Sequence, residues 1–360
     1  MTDIFEFKNK INIEKNHEGA ITWNSPSNIA LIKYWGKKEI QIPKNSSLSF
    51  TLSKCSTNCN LRFKFSKSIK EFKFQLFFEG KREISFETKM NTFFQRINRY
   101  CSYLNNTELV IETSNSFPHS SGIASSASAY SALSLCLMEI EKSFSPDISS
   151  EFFFKKASFL SRLGSGSACR STLGPVVIWG ENTVFNDSSN YYGTKYPKGL
   201  HDIFKNYNDT ILLVDKGKKH VSSSVGHDLM NDHFFSNNRL SQAENNIIQL
   251  CDVLSNGDID QFIKIVESEA LTLHAMMMTS NPYFILLKPN TLKIINEVWN
   301  YRKTSGSKVC FTLDAGANIH LLYPNNEFDK IQNFIKKSLS VFCKNGEFIN
   351  DQVGYGPNKL

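Results

Sequence analysis

No two of the eight cysteines, at 55, 59, 101, 136, 169, 251, 310 and 343, share a C-x-x-C spacing. That argues against a zinc ribbon and a thioredoxin-like redox pair; such scatter fits buried thiols in a reducing cytoplasm. No run of 18 apolar residues occurs, so no membrane span is expected. The first nineteen residues are charged throughout, without the apolar centre of a secretory signal. No block of Lys and Arg is long enough to argue for nucleic acid. The G-x-x-x-x-G-K-[ST] phosphate loop is missing, as are internal repeats and low-complexity tracts.

What remains is an ordinary globular composition, 41% hydrophobic and 21% charged over 360 residues, a length that fits about two domains. The formal net charge of +7 suits a small anionic substrate. The 29 phenylalanines read as compositional bias.

Residues 20–23 and 29–34 read as extended, and 47–52 alternates in period two as a strand does. Residues 61–65 and 72–78 read as paired strands turning at 79–81, and 109–113 and 176–179 as further strands. Helices are expected over 88–105, over 125–142 with Pro146 as the stop, and over 150–163 with Gly164 as a left-handed cap. The polar stretch 180–208 reads as a long loop and domain boundary. Beyond it come a strand (210–215), helical text (236–278 and 289–304), a hairpin-like pair (309–313 and 319–323) and a last helix (327–343). That order predicts an α+β unit with helices on one face of an antiparallel sheet.

Several segments carry chemistry. Residues 164–171, GSGSACRS, put two glycines, three serines and an arginine into eight positions. Ser165 and Ser167 suit phosphate oxygens and Arg170 a carboxylate gripped by two parallel bonds. Lys33 follows apolar 29–32 and is either a surface lysine beside an edge strand or one paired with an anion. Lys37, after Trp35-Gly36, stands where a strand exits toward a ligand. Residues 116–128 lead small residues into a helix, either a serine cap or a phosphate site at a helix N-terminus. Asp314, closing a strand before Ala315-Gly316, is either a turn cap or a base. Residues 215–224 set lysines before serines, a solvated loop or a phosphate cover.

In order, NIALIKYWGK (28–37), IPKNSSLSFTLS (42–53), SFPHSSGIASSAS (116–128), SRLGSGSACRS (161–171), KKHVSSS (218–224) and FTLDAGANIHLLY (311–323) resemble the GHMP small-molecule kinase superfamily and, within it, the diphosphomevalonate decarboxylases. The resemblance implies an α+β, two-domain GHMP kinase-like fold with the active site in the cleft. Its parts would be a ribosomal-protein-like α/β ATP-binding domain over 1–195 and a ferredoxin-like α+β domain over 196–360, with the C-terminal tail returning to the first. It implies decarboxylation of mevalonate 5-diphosphate to isopentenyl diphosphate with ATP and Mg²⁺, a cytoplasmic location and a homodimer. By motif match Asp314, Lys33 and Arg170 would be catalytic. Asn28, Tyr34, Lys37, Ser165, Ser167, Ser223 and Ala315 would join Arg170 on the substrate. Ser47, Ser49, Asn115, Ser120, Ser121, Gly122, Ala124, Ser125, Ser126, Lys216, Lys218 and Lys219 would serve ATP, with Ser125 and Ser126 near the metal.

The chain also departs from that family. It has His119-Ser120-Ser121 for the usual Thr-Ala-Ala, and His220 for an aspartate. Ser224 stands where some members carry arginine, and Ala317 replaces a proline after Gly316. The Asp/Lys/Arg trio is intact. A mevalonate 5-phosphate decarboxylase, a mevalonate kinase without decarboxylation and a catalytically silent binding protein are the competing readings.

Overall fold

The computed structural model describes residues 2–9, 17–66, 68–69, 71–118, 123–217 and 223–360, with backbone alone at 223 and 224. The expectations placed on Ser120, Ser121, Gly122, Lys218 and Lys219, and on the Ser223 side chain, lie outside the described residues.

The first sheet is built on two long strands, β1 (His17–Ile32) and β2 (Ser47–Phe65), paired antiparallel. Each joins segments that the sequence reads separately. Irregularities between Pro26 and Asn28 and between Ala30 and Ile32 bend β1 without ending it. Then come β3 (Lys73–Phe78), β4 (Lys81–Arg82), α1 (Ile84–Ile97), β5 (Thr107–Asn115), α2 (Ser125–Phe144), α3 (Ser150–Gly164), β6 (Val176–Trp179) and β7 (Thr194–Lys195). The short α4 (Asp202–Lys205) precedes β8 (Asn208–Leu212), and α5 (Ser223–Asp228), α6 (Ser236–Asn256), α7 (Ile259–Met278) and α8 (Pro289–Ser305) follow. The chain closes with β9 (Cys310–Thr312), β10 (Ile319–Tyr323), α9 (Phe328–Phe334), β11 (Phe348–Gln352) and β12 (Asn358–Lys359).

The first sheet runs β12-β1-β2-β5-β3-β4, with β6 also on β2 and β7 on β6; the second runs β11-β8-β10-β9, all antiparallel. β3 does not pair with β2. It lies parallel to β5, Leu76 opposite Ile111, because α1 supplies the crossover that parallel neighbours need. The turn at 79–80 leads into β4 instead.

Three further corrections concern helices and loops. α1 starts at Ile84, where the Glu83 carboxylate accepts the Ser85 N–H, and ends at Ile97; 102–106 is a separate 3-10 turn. Gly164 is not a left-handed cap, since the residue after the helix, Ser165, is extended at φ −147°. Glycine is needed there because a Cβ would lie 2.3 Å from the Tyr130 ring. The stretch 180–208 holds β7 and α4, whereas the last predicted helix does run on past Phe334, as a π turn (Ile335–Leu339) and a 3-10 turn (Ser340–Phe342). β11 and β12 were not anticipated: FINDQ has one buried position and Asn-Lys none, so neither shows an apolar pattern.

α1, α2 and α3 cover one face of the first sheet around Leu61, Phe65, Ile111, Leu133, Leu137 and Phe159. A second core joins the two sheets: Ile29, Leu31, Leu48 and Phe50 meet Ile211, Leu213, Ile247, Phe262 and Val266. Ile29 through Ile32 are therefore buried on both faces, and strict alternation fails there. A small cluster of Trp35, Met230, Leu273, Met276 and Met277 seals the exit of β1. All eight cysteines are buried and unpaired. No helix among the described residues is long and apolar enough to cross a membrane.

Candidate active site

Lys33 leaves β1 with a side chain only 2% exposed, and its Nζ lies 2.9 Å from Asp314 Oδ1. The surface-lysine reading is excluded. Asp314, in the turn after β9, keeps 26% of its side chain accessible, so a ligand can still reach it. Burial pushes Lys33 below the ordinary lysine range; Asp314 and Glu269 oppose the shift, and Arg170 adds to it.

α7 and α6 grip the backbone of this pair. Glu269 Oε2 accepts the Lys33 N–H at 2.8 Å, and Arg239 Nη2 donates to the Lys33 carbonyl at 2.7 Å. Arg239 and Glu269 form a fully buried ion pair at 2.6 Å. His274 Nε2 donates to the Asp314 carbonyl at 3.1 Å. Asn45 adds a bond from Nδ2 to the Lys33 carbonyl at 3.0 Å.

Arg170 ends the 3-10 turn 166–170 after α3 and is buried. Its Nη1 donates to Ser47 Oγ at 2.7 Å and its Nε to Ser49 Oγ at 3.1 Å, while Nε and Nη2 share Asn28 Oδ1 at 3.3 and 3.2 Å. Of its five N–H groups, one on each terminal nitrogen is left over among the described residues. Asn28 is fixed by bonds from Nδ2 to Ser171 Oγ (2.7 Å) and the Ser167 carbonyl (3.2 Å). The guanidinium sits 5.6 Å from the Tyr34 ring centre and 5.8 Å from that of Trp179. Lys33, Tyr34 and Arg170 each feel the charge of Asp314, and Lys33 and Tyr34 also feel that of Arg170. An acid from the C-terminal half and a guanidinium from the N-terminal half thus share one site.

The phosphate-type residues form a second group. Ser126 and Ser165 hydroxyls meet at 3.2 Å, so the N-terminus of α2 touches the 164–171 segment. Ser165 and Ser167 are half-buried, as is Lys37, whose ammonium burial brings down to about 8. Ala124 takes a left-handed conformation (φ 44°) just before α2, and Ser27 Oγ pins the preceding Ile123 carbonyl at 2.6 Å. Among the described residues no group of three or more His, Cys, Asp or Glu could hold a metal. The hydroxyls of Ser125 and Ser126 suit a magnesium carried mainly by phosphate oxygens.

Matches to two family models divide the chain between them. Residues 25–190 match the diphosphomevalonate decarboxylase-like N-terminal domain, and residues 210–355 the mevalonate 5-diphosphate decarboxylase C-terminal domain. The chain belongs to the diphosphomevalonate decarboxylase family. It is 26% identical to the diphosphomevalonate decarboxylase of Schizosaccharomyces pombe over 93% of this chain and 86% of that one. The mevalonate diphosphate decarboxylase structure from Staphylococcus aureus superposes with a TM-score of 0.81 at 25% identity, covering 96% of this chain and 98% of that one. A structure described as a complex with MVAPP, AMPPCP and magnesium superposes at 0.79 with 24% identity, covering 96% and 99%.

Within this decarboxylase-family chain, several candidate residues fall where sequence reasoning did not put them. Ser47 and Ser49, assigned to ATP, are buried acceptors for Arg170. Lys216, also assigned to ATP, is bridged to Glu347. Asn115 Oδ1 accepts from Thr57 Oγ1 at 2.7 Å at the end of β5, and Ala315 packs beside the Trp35 cluster. Glu269, Arg239, His274 and His227 were missed. Glu269, Arg239 and His274 sit on helices without a motif and His227 lies three residues beyond KKHVSSS; only their burial and partners single them out.

Proposed function

We propose that this protein catalyses the Mg²⁺- and ATP-dependent decarboxylation of mevalonate 5-diphosphate to isopentenyl diphosphate, releasing ADP, phosphate and CO₂. The Lys33–Asp314 contact beside a buried Arg170 with two N–H groups to spare carries this reading. Asp314 takes the proton of the C3 hydroxyl as that oxygen attacks the γ-phosphate of ATP. Lys33 favours the ionised acid. The C3–O bond then breaks toward the departing phosphate, and the growing positive charge faces the Asp314 carboxylate. The electrons of the bond to the carboxylate carbon close the new double bond as CO₂ leaves. Arg170 offers its two remaining N–H groups to that carboxylate, with Asn28 holding the guanidinium in place.

In the same reading Tyr34, Lys37, Ser165 and Ser167 hold the diphosphate, and the entry of α2 holds the ATP phosphates. Ser125 and Ser126 would help to hold magnesium, which would neutralise phosphate charge. The N-terminal domain ends near residue 195, and the protein works as a cytoplasmic homodimer. The test is incubation with Mg-ATP and either mevalonate 5-phosphate or 5-diphosphate, following CO₂ and ADP together. Equal CO₂ and ADP from the diphosphate supports the reading. ADP without CO₂ replaces it with a kinase, and neither product with a binding protein.

A further inference from the structure

The segment 34–37 carries two of the groups assigned to the diphosphate, yet it lies beyond the end of β1 and has no strand partner to hold it over most of its length. Two sides hold it: the 42–45 stretch, where Asn45 Oδ1 accepts the Trp35 N–H and the Gly36 carbonyl accepts the Lys44 N–H, each at 3.2 Å, and, on the other side, α5. A Cβ on Gly226 would come within 2.7 Å of the Trp35 ring, so helix and indole are in direct contact. Met230, just past α5, is buried in the Trp35 cluster. Between them stands His227, itself buried.

His227 makes two different contacts with the segment. Its Nδ1 accepts the Gly36 N–H at 3.0 Å. Its ring stacks on Tyr34, centroids 4.6 Å apart with planes at 23°, and leans on Trp35 at 4.6 Å. A backbone N–H can only donate, so Nδ1 carries no proton and the imidazole is the neutral Nε2–H tautomer. Burial and the Lys37 charge both push the ring's pKa down, in agreement.

We propose that His227 is a positioning residue for the substrate diphosphate: by holding the Gly36 peptide and the face of Tyr34, it sets where the Tyr34 hydroxyl and the Lys37 ammonium meet the phosphates. The proposal rests on the functional reading above. The hydrogen bond is its directional part, because stacking alone leaves the ring free to slide. Without the acceptor, the Gly36 N–H is left unpaired in a buried place, and the turn that aims Lys37 relaxes.

The two contacts separate by substitution. His227→Phe keeps a ring and loses the acceptor. His227→Asn loses the ring and keeps an oxygen at the position of Nδ1. KM for mevalonate 5-diphosphate, KM for Mg-ATP and kcat are measured for both variants, with thermal melting. Inorganic pyrophosphate is titrated by calorimetry with Mg-ATP saturating. We expect His227→Phe to raise the substrate KM and the pyrophosphate Kd about tenfold, with KM for ATP nearly unchanged and the melting temperature lowered only modestly by the unpaired Gly36 N–H. His227→Asn should bring both constants most of the way back. A His227→Phe enzyme equal to wild type overturns the proposal, as does a His227→Asn enzyme no better than His227→Phe. So does a rise in both KM values with a fall in kcat and a large fall in the melting temperature. If the wild type releases no CO₂, the functional reading fails, and the pyrophosphate series still decides the role of His227.

Discussion

Glu269 accepts the Lys33 N–H, and five residues further along the same helix His274 donates to the Asp314 carbonyl. One helix, α7, therefore fixes the backbone on both sides of the 2.9 Å Lys33–Asp314 bridge. The two partners come from strands in different sheets, so this shared support, more than either strand, sets their separation.

Asp314→Asn should abolish turnover while ATP still binds. The amide keeps the shape and removes both the base and the charge facing the developing cation. A loss of about 10³-fold or more in kcat is expected, within the range for general-base and electrostatic contributions. Single-turnover CO₂ release and an ATP titration check this. Near-normal CO₂ release by the variant rules out the assigned role.

Arg170→Lys should lower kcat/KM for the substrate by about 100-fold, since a point charge cannot make the planar grip. The cost is compounded inside the protein. Asn28, Ser47 and Ser49 are arranged around the fork, and a lysine leaves buried acceptors unmatched. Melting temperature is the companion measurement. Unchanged kinetics would show that Arg170 does not touch the substrate.

Lys37 gives a pH dependence with a definite sign. Its pKa is lowered to about 8, first by burial, with Asp228 opposing and Arg96 assisting. Below that value the ammonium is charged and attracts the diphosphate; above it the charge is lost. kcat/KM for mevalonate 5-diphosphate should thus fall as pH rises through about 8, and Lys37→Arg should move the descending limb upward. A profile flat to pH 10 would refute this.

The motif-bearing residues were legible in the sequence because each sits on a strand end or turn whose local text is unusual: Lys33 in NIALIKYWGK, Arg170 in GSGSACRS, Asp314 in FTLDAGAN. Their mutual geometry was not legible. It depends on α6 and α7, whose buried Arg239 and Glu269 stand in helical text that no motif marks. Ser47 and Ser49 misled for the opposite reason. Their hydroxyls suit phosphate in isolation, but β1–β2 register puts Ala30 opposite Ser49 and turns both serines toward Arg170. Long-range pairing, as with β3 on β5, was likewise settled by the crossover helix and not by the strand text.

The Arg239–Glu269 pair makes the last prediction, one about stability. Both side chains are fully buried, and Glu269 also accepts from Asn246 Nδ2 at 2.7 Å. Removing one partner leaves an unpaired charge in the interior, so Glu269→Ala should cost about 3–5 kcal/mol. Adding Arg239→Met removes the stranded guanidinium and should recover part of that loss, because apolar replacement of a whole buried pair is often neutral. Urea unfolding of wild type, both single variants and the double variant measures the coupling. If the two losses simply add, Arg239 and Glu269 are not stabilising each other, and the support for Lys33 must come from elsewhere.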